Sequence, residues 1–429
     1  MEVHKFGGTS VASEEGLRTL EASAASGHVI VVSALAGVTD ALEDFVRRAA
    51  EGSADPTPIL ERHREFITEH LEQRHEEVES FLKDMETLLH GVATVLEQLG
   101  RPEERLRDLV LSLGERASAR IVAAYLKERG IKAMAYDAWD VGLVTTDDPG
   151  NADIVGWDGT RSRLLRDLRS GRVPVVTGFI GRSDRGHVTT LGRGGSDYTA
   201  TVLAGVLGSR SVIWTDVDGI MTTDPELADA EVVERLSYEE AMMAGASGAG
   251  VIHPKAVEAA KNLGVTVLIG NSFTGEIGTV ISDSTEPGPK VVASRDDVAL
   301  IRVSGAKMVD EPGVVGRVTS ALGNAGVNLL AVFTTVSEPY INLLVEETAL
   351  RSAEEALNGL DYDWEVDKDV GLVTVVGEGM SARDVSTFLA ACEGFDLLGS
   401  AHGVVAVSVV VPESEVREVT RRLAERLLA

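Results

Sequence analysis

Cysteine is almost absent from these 429 residues: Cys392 stands alone, which excludes an intramolecular disulfide. Its setting, "TFLAACEGF", places it on the apolar face of a helix as a buried structural thiol. No 18-residue apolar run occurs, nor a charged segment leading into a short apolar one, so the expectation is a mature, soluble chain in the cytoplasm. Positive charge is scarce as well. Against 68 Asp and Glu stand 40 Lys and Arg, a net charge of -28, with the acids spread along the chain. That field excludes nucleic acid and anionic membrane as partners. It also suits a protein kept soluble at high salt, where screening over about 3 Å at 1 M removes much of the self-repulsion. An apolar content of 44% excludes general disorder, and the length predicts two or three domains.

Strand-like and helix-like runs alternate through the first two thirds. "HVIVVSAL" (28–35), "IKAMAYDAWD" (131–140), "VPVVTGFIG" (173–181), "SVIWTDVDG" (211–219) and "VTVLIGNS" (265–272) are continuous apolar stretches, as in strands buried on both faces. Helical segments between them, including 161–170 and 198–207, predict an open, mainly parallel α/β sheet sandwiched by helices. Residues 41–113 read instead as a charged helical insertion, whose His63, His70, His75 and His90 share no close face and are expected on the surface. After the linker "SDSTEPGPK" (282–290), a strand, helix, strand, strand, helix order occurs twice. This predicts two small ferredoxin-like α+β modules.

Four glycine-rich turns follow strands: "KFGGTS" (5–10), "SALAGVTD" (33–40), "TTLGRGGSDYTA" (189–200) and "TDVDGIMTTDP" (215–225). The first leads from a strand ending at Phe6 into a helix over 11–25. Unpaired N–H groups at helix starts, glycines that admit a close anion and a lysine at a strand end together form a phosphate-binding arrangement. Ligands bind at such strand ends in open α/β sheets. Lys5 and Arg193 are cations at these turns; Ser33, Thr39 and Ser196 offer hydroxyls, and Asp197 stands at a helix start. The same residues also suit plain helix caps. No G-x-x-x-x-G-K-[ST] loop, G-x-S-x-G elbow or metal-spaced Cys/His set is present.

In order along the chain, "KFGGTS", "VVSALAGVTD", "SLGERAS", "GFIG", "TTLGRGGSDYTA", "WTDVDGIMTTDP" and "VIHP" resemble the aspartate kinase family of amino-acid kinases. The tail resembles paired ACT regulatory modules. The resemblance implies a catalytic domain over 1–286, with the insertion at about 41–113, and ACT modules over 291–365 and 366–429. It implies phosphoryl transfer from ATP, with Mg2+, to the side-chain carboxylate of L-aspartate, the first step of the aspartate-family amino-acid pathway. Lys5 would neutralise the moving phosphoryl and Asp197 would orient Lys5, with Gly7, Gly8 and Thr9 beside the nucleotide. Ser33, Thr39, Glu115, Arg193, Gly194 and Ser196 match the aspartate-binding set. Arg193 would clamp the α-carboxylate and Glu115 receive the α-ammonium. Thr215, Asp216, Asp218 and Met221 match the nucleotide loop, while protein ligands for the metal are not legible.

The resemblance departs at Met221, Glu226 and Gly250, where tyrosine, arginine and lysine are usual. Lys255 or Lys261 is the candidate replacement for the missing cations. In the first ACT module, "DEPGVVGRV" and "GNAGVNL" imply effector contacts at Asp310, Gly313 and Asn328; the second module lacks a matching Pro-Gly turn. Lysine or threonine feedback and a homodimer through the ACT modules, or a higher oligomer, follow from the resemblance. The rivals are glutamate or acetylglutamate kinase, which lack this tail, and a catalytically weak amino-acid sensor of the same fold. A stand-alone enzyme is expected over a fused one.

Overall fold

The structure is a computed structural model that describes residues 1–305, 308, 312–333 and 340–428. These fall into two compact units: the first comprises Met1–Ile220, Glu234–Tyr238 and Val251–Asp283, the second Met221–Val233, Glu239–Gly250 and Ser284–Ala429. No helix among the described residues is long and apolar enough to cross a membrane.

The first unit is organised by an eight-stranded sheet. Its order is Arg235–Ser237, Glu276–Ser282, Val267–Asn271, Ser211–Thr215, Val3–Phe6, Val29–Val32, Val173–Thr177 and Ala133–Tyr136. All neighbours are parallel except Val267–Asn271 with Glu276–Ser282. The apolar runs of the sequence are these central strands; Val29–Val32 and Val173–Thr177 are buried at every position. Burial on both faces follows from helices on either side. The expected helix over 11–25 is two helices, Gly8–Ala12 and Glu14–Ala25, because Ser13 is extended and its hydroxyl accepts the Gly16 N–H at 3.0 Å. A serine competes with the helix in this way and favours the cap.

Residues 38–128 form four helices, Val38–Ala50, Thr57–His70, Glu76–Leu99 and Glu104–Glu128. Their apolar residues, such as Leu60, Leu89 and Leu96, join the same core as Phe6, Ile30 and Val175. The surface expectation fails for His63, which is fully buried with Nδ1 at 2.7 Å from the Ile59 carbonyl. Ile59, His63 and Phe66 lie on one helical stripe, and the stripe faces the core.

The second unit contains a six-stranded antiparallel sheet with helices Val314–Asn324, Leu350–Leu357, Ala382–Ala391 and Glu413–Leu427. Two 14-residue strands, Val291–Ser304 and Asp363–Val376, pair with each other and fuse both repeats into one sheet. Val292 packs with Val373, Phe388 and Val409, whereas Ile301 and Val303 pack with Val318 and Leu343. One strand therefore serves two cores. Cys392 is buried as expected, and burial pushes its thiol up.

Candidate functional site

Val3–Phe6 lies between two parallel neighbours, with Lys5 opposite Val31 on one side and Ile213 on the other. The turns after these strands consequently converge at one sheet edge. There Lys5, Ser33, Thr39, Glu115, Arg193, Gly194, Ser196 and Asp197 line a single cavity of about 240 Å3. Helix Glu104–Glu128 presents Glu115, and Arg193 and Gly194 lead into helix Gly195–Leu207, whose first turn holds Asp197.

The polar groups in this cavity are unequally satisfied. Lys5 Nζ pairs with Asp197 Oδ1 at 2.8 Å, both side chains being largely buried. Glu115 is 3% exposed; Oε1 accepts the Ala34 N–H at 3.3 Å, while Oε2 has no protein donor. Burial pushes the Glu115 carboxyl up to about 8. Arg193 is exposed, and among the described residues no carboxylate lies within ion-pair distance of it. A buried carboxylate short of donors and an exposed guanidinium suit a ligand carrying both an ammonium and a carboxylate.

Close backbone packing explains the glycines. A Cβ on Gly8 would meet the Ala34 carbonyl at 2.7 Å. Gly194 has φ +70°, and a Cβ there would collide with His253. Phe179, Gly192 and Gly195 also line the cavity and were not singled out in the sequence. Phe179 is the one described non-glycine residue with positive φ, 63°, a strained geometry of the kind that gathers at functional sites. "GFIG" carried the signal: Gly178 is its necessary neighbour, since a Cβ there would lie 2.6 Å from the Ser196 hydroxyl.

The loop after Ser211–Thr215 is braced by two residues not singled out in the sequence. Ser272 donates to the Thr215 carbonyl from N–H at 2.7 Å and from Oγ at 2.9 Å. Asn271 Nδ2 donates to Asp218 Oδ1 at 2.7 Å, and Thr215 Oγ1 donates to Asp216 Oδ1 at 3.0 Å. Gly7 caps the short helix Gly8–Ala12, and Thr9 is exposed on it. Met221 falls in the second unit, where it forms a bridge with Val232. In that unit Gly313 caps helix Val314–Asn324 with φ +80° and Asn328 is exposed; Asp310 lies outside the described residues. Lys255, the candidate replacement cation, already has protein partners. Its Nζ binds Asp153 Oδ1 at 2.9 Å and the carbonyls of Ala152 and Leu191 at 2.8 and 3.0 Å.

Among the described residues, the one group with metal-ligand side chains in reach of each other is Glu2, His4 and His28, away from this cavity. Its hydrogen bonds oppose a metal. The Trp214 indole donates to His4 Nδ1 at 3.1 Å and the Glu2 N–H donates to His28 Nδ1 at 2.8 Å, so each ring carries its proton on Nε2.

The amino acid kinase family matches residues 1–271, and an ACT domain matches 301–359. Aspartokinase 3, chloroplastic, of Arabidopsis thaliana is 33% identical over 394 residues, covering 87% of this chain and 69% of that protein. The aspartokinase of Geobacillus stearothermophilus is 30% identical over 88% of this chain and 84% of its own. Among solved structures, E. coli aspartokinase III in complex with aspartate and ADP (R-state) superposes with a TM-score of 0.83 at 27% identity, covering all of both chains. The same protein in complex with lysine and aspartate (T-state) gives 0.77 at 27% identity, again over all of both chains.

Proposed function

The chain belongs to the amino acid kinase family, as an aspartate kinase with an ACT domain, and we propose that it moves the γ-phosphoryl of ATP onto the side-chain carboxylate of L-aspartate held in the Lys5–Glu115–Arg193 cavity. The observation that carries the substrate assignment is the buried Glu115 carboxylate with an unpartnered Oε2. An α-ammonium supplies the missing donor, and Arg193 takes the α-carboxylate. Ser33 and Thr39 add hydroxyls from the neighbouring turn. The reacting carboxylate is already a nucleophile, so no general base is required. One of its oxygens attacks the γ-phosphorus, the bond to the β-phosphate oxygen breaks, and 4-phospho-L-aspartate and ADP result. Lys5, fixed by Asp197 at 2.8 Å, offsets charge on the moving group.

The loop of Thr215, Asp216 and Asp218, braced by Asn271 and Ser272, is the nucleotide side of the site, with Gly7 and Gly8 nearest the phosphates. Mg2+ fits this donor set as an ion carried on the nucleotide phosphates, where it supplies charge neutralisation. The complexes of E. coli aspartokinase III with aspartate and ADP, and with lysine and aspartate, support ATP as donor and lysine as effector. Regulation by lysine or threonine is assigned to the ACT region, with Gly313 and Asn328 as contacts and a homodimer formed through it.

Trapping the acyl phosphate with hydroxylamine tests this reading. ATP-dependent hydroxamate is expected with L-aspartate but not L-glutamate, and it should diminish when lysine or threonine is added. Effector binding without hydroxamate, at low and at high KCl, would leave a sensor rather than a kinase.

A further inference from the structure

Helix Glu104–Glu128 carries a second buried acid two turns before Glu115. Asp108 is fully buried, and its carboxylate gathers three donors from distant parts of the chain. Oδ2 accepts the N–H of Gly150 at 2.9 Å and of Thr190 at 3.0 Å, and Oδ1 accepts the Thr190 hydroxyl at 2.8 Å. The nearest cation, Arg107, stands 3.9 Å from Oδ1. Burying a carboxylate is costly, and here the cost is offset by the three donors that its two oxygens hold.

What they hold is the origin of the arginine turn. Thr190 ends the strand Val188–Thr190, and Arg193 follows three residues later. The Thr190 carbonyl accepts the Ala152 N–H at 2.9 Å, so Asp108 ties the 150–152 segment and the turn to the helix that also carries Glu115. Arg193 itself is exposed and has no carboxylate partner among the described residues, so its position depends on the turn beneath it.

We infer that Asp108 is a positioning residue for the amino-acid substrate, fixing the turn that brings Arg193 into the cavity alongside Glu115. This rests on the reading of Arg193 as the clamp for the substrate carboxylate. A guanidinium displaced by about 1 Å loses bidentate alignment, a loss that reaches about a hundredfold at its most severe. Asparagine should preserve the arrangement: its oxygen accepts both backbone N–H groups, and its amide donates to the Thr190 hydroxyl, which rotates to accept.

A double-mutant cycle on the full chain tests this. Asp108→Ala is expected to raise the KM for aspartate about tenfold while the KM for ATP changes less than about twofold; Asp108→Asn should restore the aspartate KM. In an Arg193→Ala background, Asp108→Ala should add less than about twofold, because it acts through the arginine. Equal effects on both KM values, or an undiminished Asp108→Ala effect in that background, would overturn the inference. If Asp108→Ala does not fold, Thr190→Val takes its place in the cycle, expected to raise the aspartate KM alone; no rise would count against the inference. Arg193→Ala leaving the aspartate KM unchanged would instead sink the clamp reading.

Discussion

His4 and Lys5 are neighbours on one strand, and alternation sends their side chains to opposite faces of the sheet. The hollow beside His4 is the larger, about 500 Å3 against 240 Å3 beside Lys5. Size therefore does not mark the site. Around His4 the polar groups close on themselves: Ser23 lies 2.9 Å and the Trp214 indole 3.1 Å from Nδ1, Glu2 lies 3.2 Å from Nε2, and Arg210 binds Glu2 at 2.7 Å. Around Lys5, Glu115 Oε2 lacks a donor and Arg193 lacks a carboxylate among the described residues. A closed network contributes stability, whereas an open one stores interaction for a ligand. Substitutions on either side should separate these roles.

The largest effect is expected at Lys5. Lys5→Ala should lower kcat about 10²–10³-fold, the loss typical of one removed electrostatic stabiliser, even at temperatures where the variant, destabilised by its unpaired Asp197, is fully folded. Lys5→Arg should rescue poorly, because a forked guanidinium does not reproduce a point charge beside Asp197. Steady-state hydroxamate kinetics with thermal melts would decide. A variant that melts early in proportion to its lost activity would place Lys5 with His4 as a structural residue.

Glu115 comes next, and it sharpens the contrast through pH. Its carboxyl is pushed up to about 8 by burial, and binding an ammonium needs the ionised form. The KM for aspartate should therefore fall as pH rises from about 6.5 toward 8.5. Glu115→Gln should raise that KM about tenfold or more and flatten the profile. Stability should move the other way. The folded state keeps this proton to about pH 8 while the unfolded chain releases it near the ordinary glutamate value of 4.5. The group's contribution is full below 4.5 and is lost as pH climbs through about 8. Glu115→Gln should consequently melt above the parent at pH 8.5 and match it in acid.

This division also explains what the sequence could disclose. The parallel sheet was legible because strands buried on both faces must be apolar throughout, as in "VIVV" and "VPVVT". The cavity was legible where chemistry and backbone coincide, at Lys5, Arg193, Gly194 and Asp197, since glycines at such turns mark close approach. Asp108 left no signal, because its partners lie 42 and 82 residues away. At Phe179 "GFIG" marked the turn but not its strain, because a positive φ at a non-glycine residue is imposed by its surroundings. The His63 misreading was avoidable, for Ile59 and Phe66 already gave its stripe. The sharing of Val291–Ser304 between two cores was not, as one apolar strand looks the same whichever helices cover it.

The smallest effect on activity is expected at His4, and it completes the comparison. His4→Gln should change kcat and both KM values less than about twofold, since the closed network does not face the cavity, yet it should cost about 1–2 kcal/mol at pH 7.5 through lost hydrogen bonds. Burial, with the neighbouring His28 as a smaller contribution, holds His4 at about 4 against 6.5 in the unfolded chain. Its contribution is present above pH 6.5 and is lost as pH falls through about 4. Melting temperatures of parent and variant should therefore converge on acidification. A gap that stays constant from pH 7.5 to 4.5 would mean that His4 contributes only packing. A loss of activity matching that of Lys5→Ala would mean that the two faces of this strand are not independent after all.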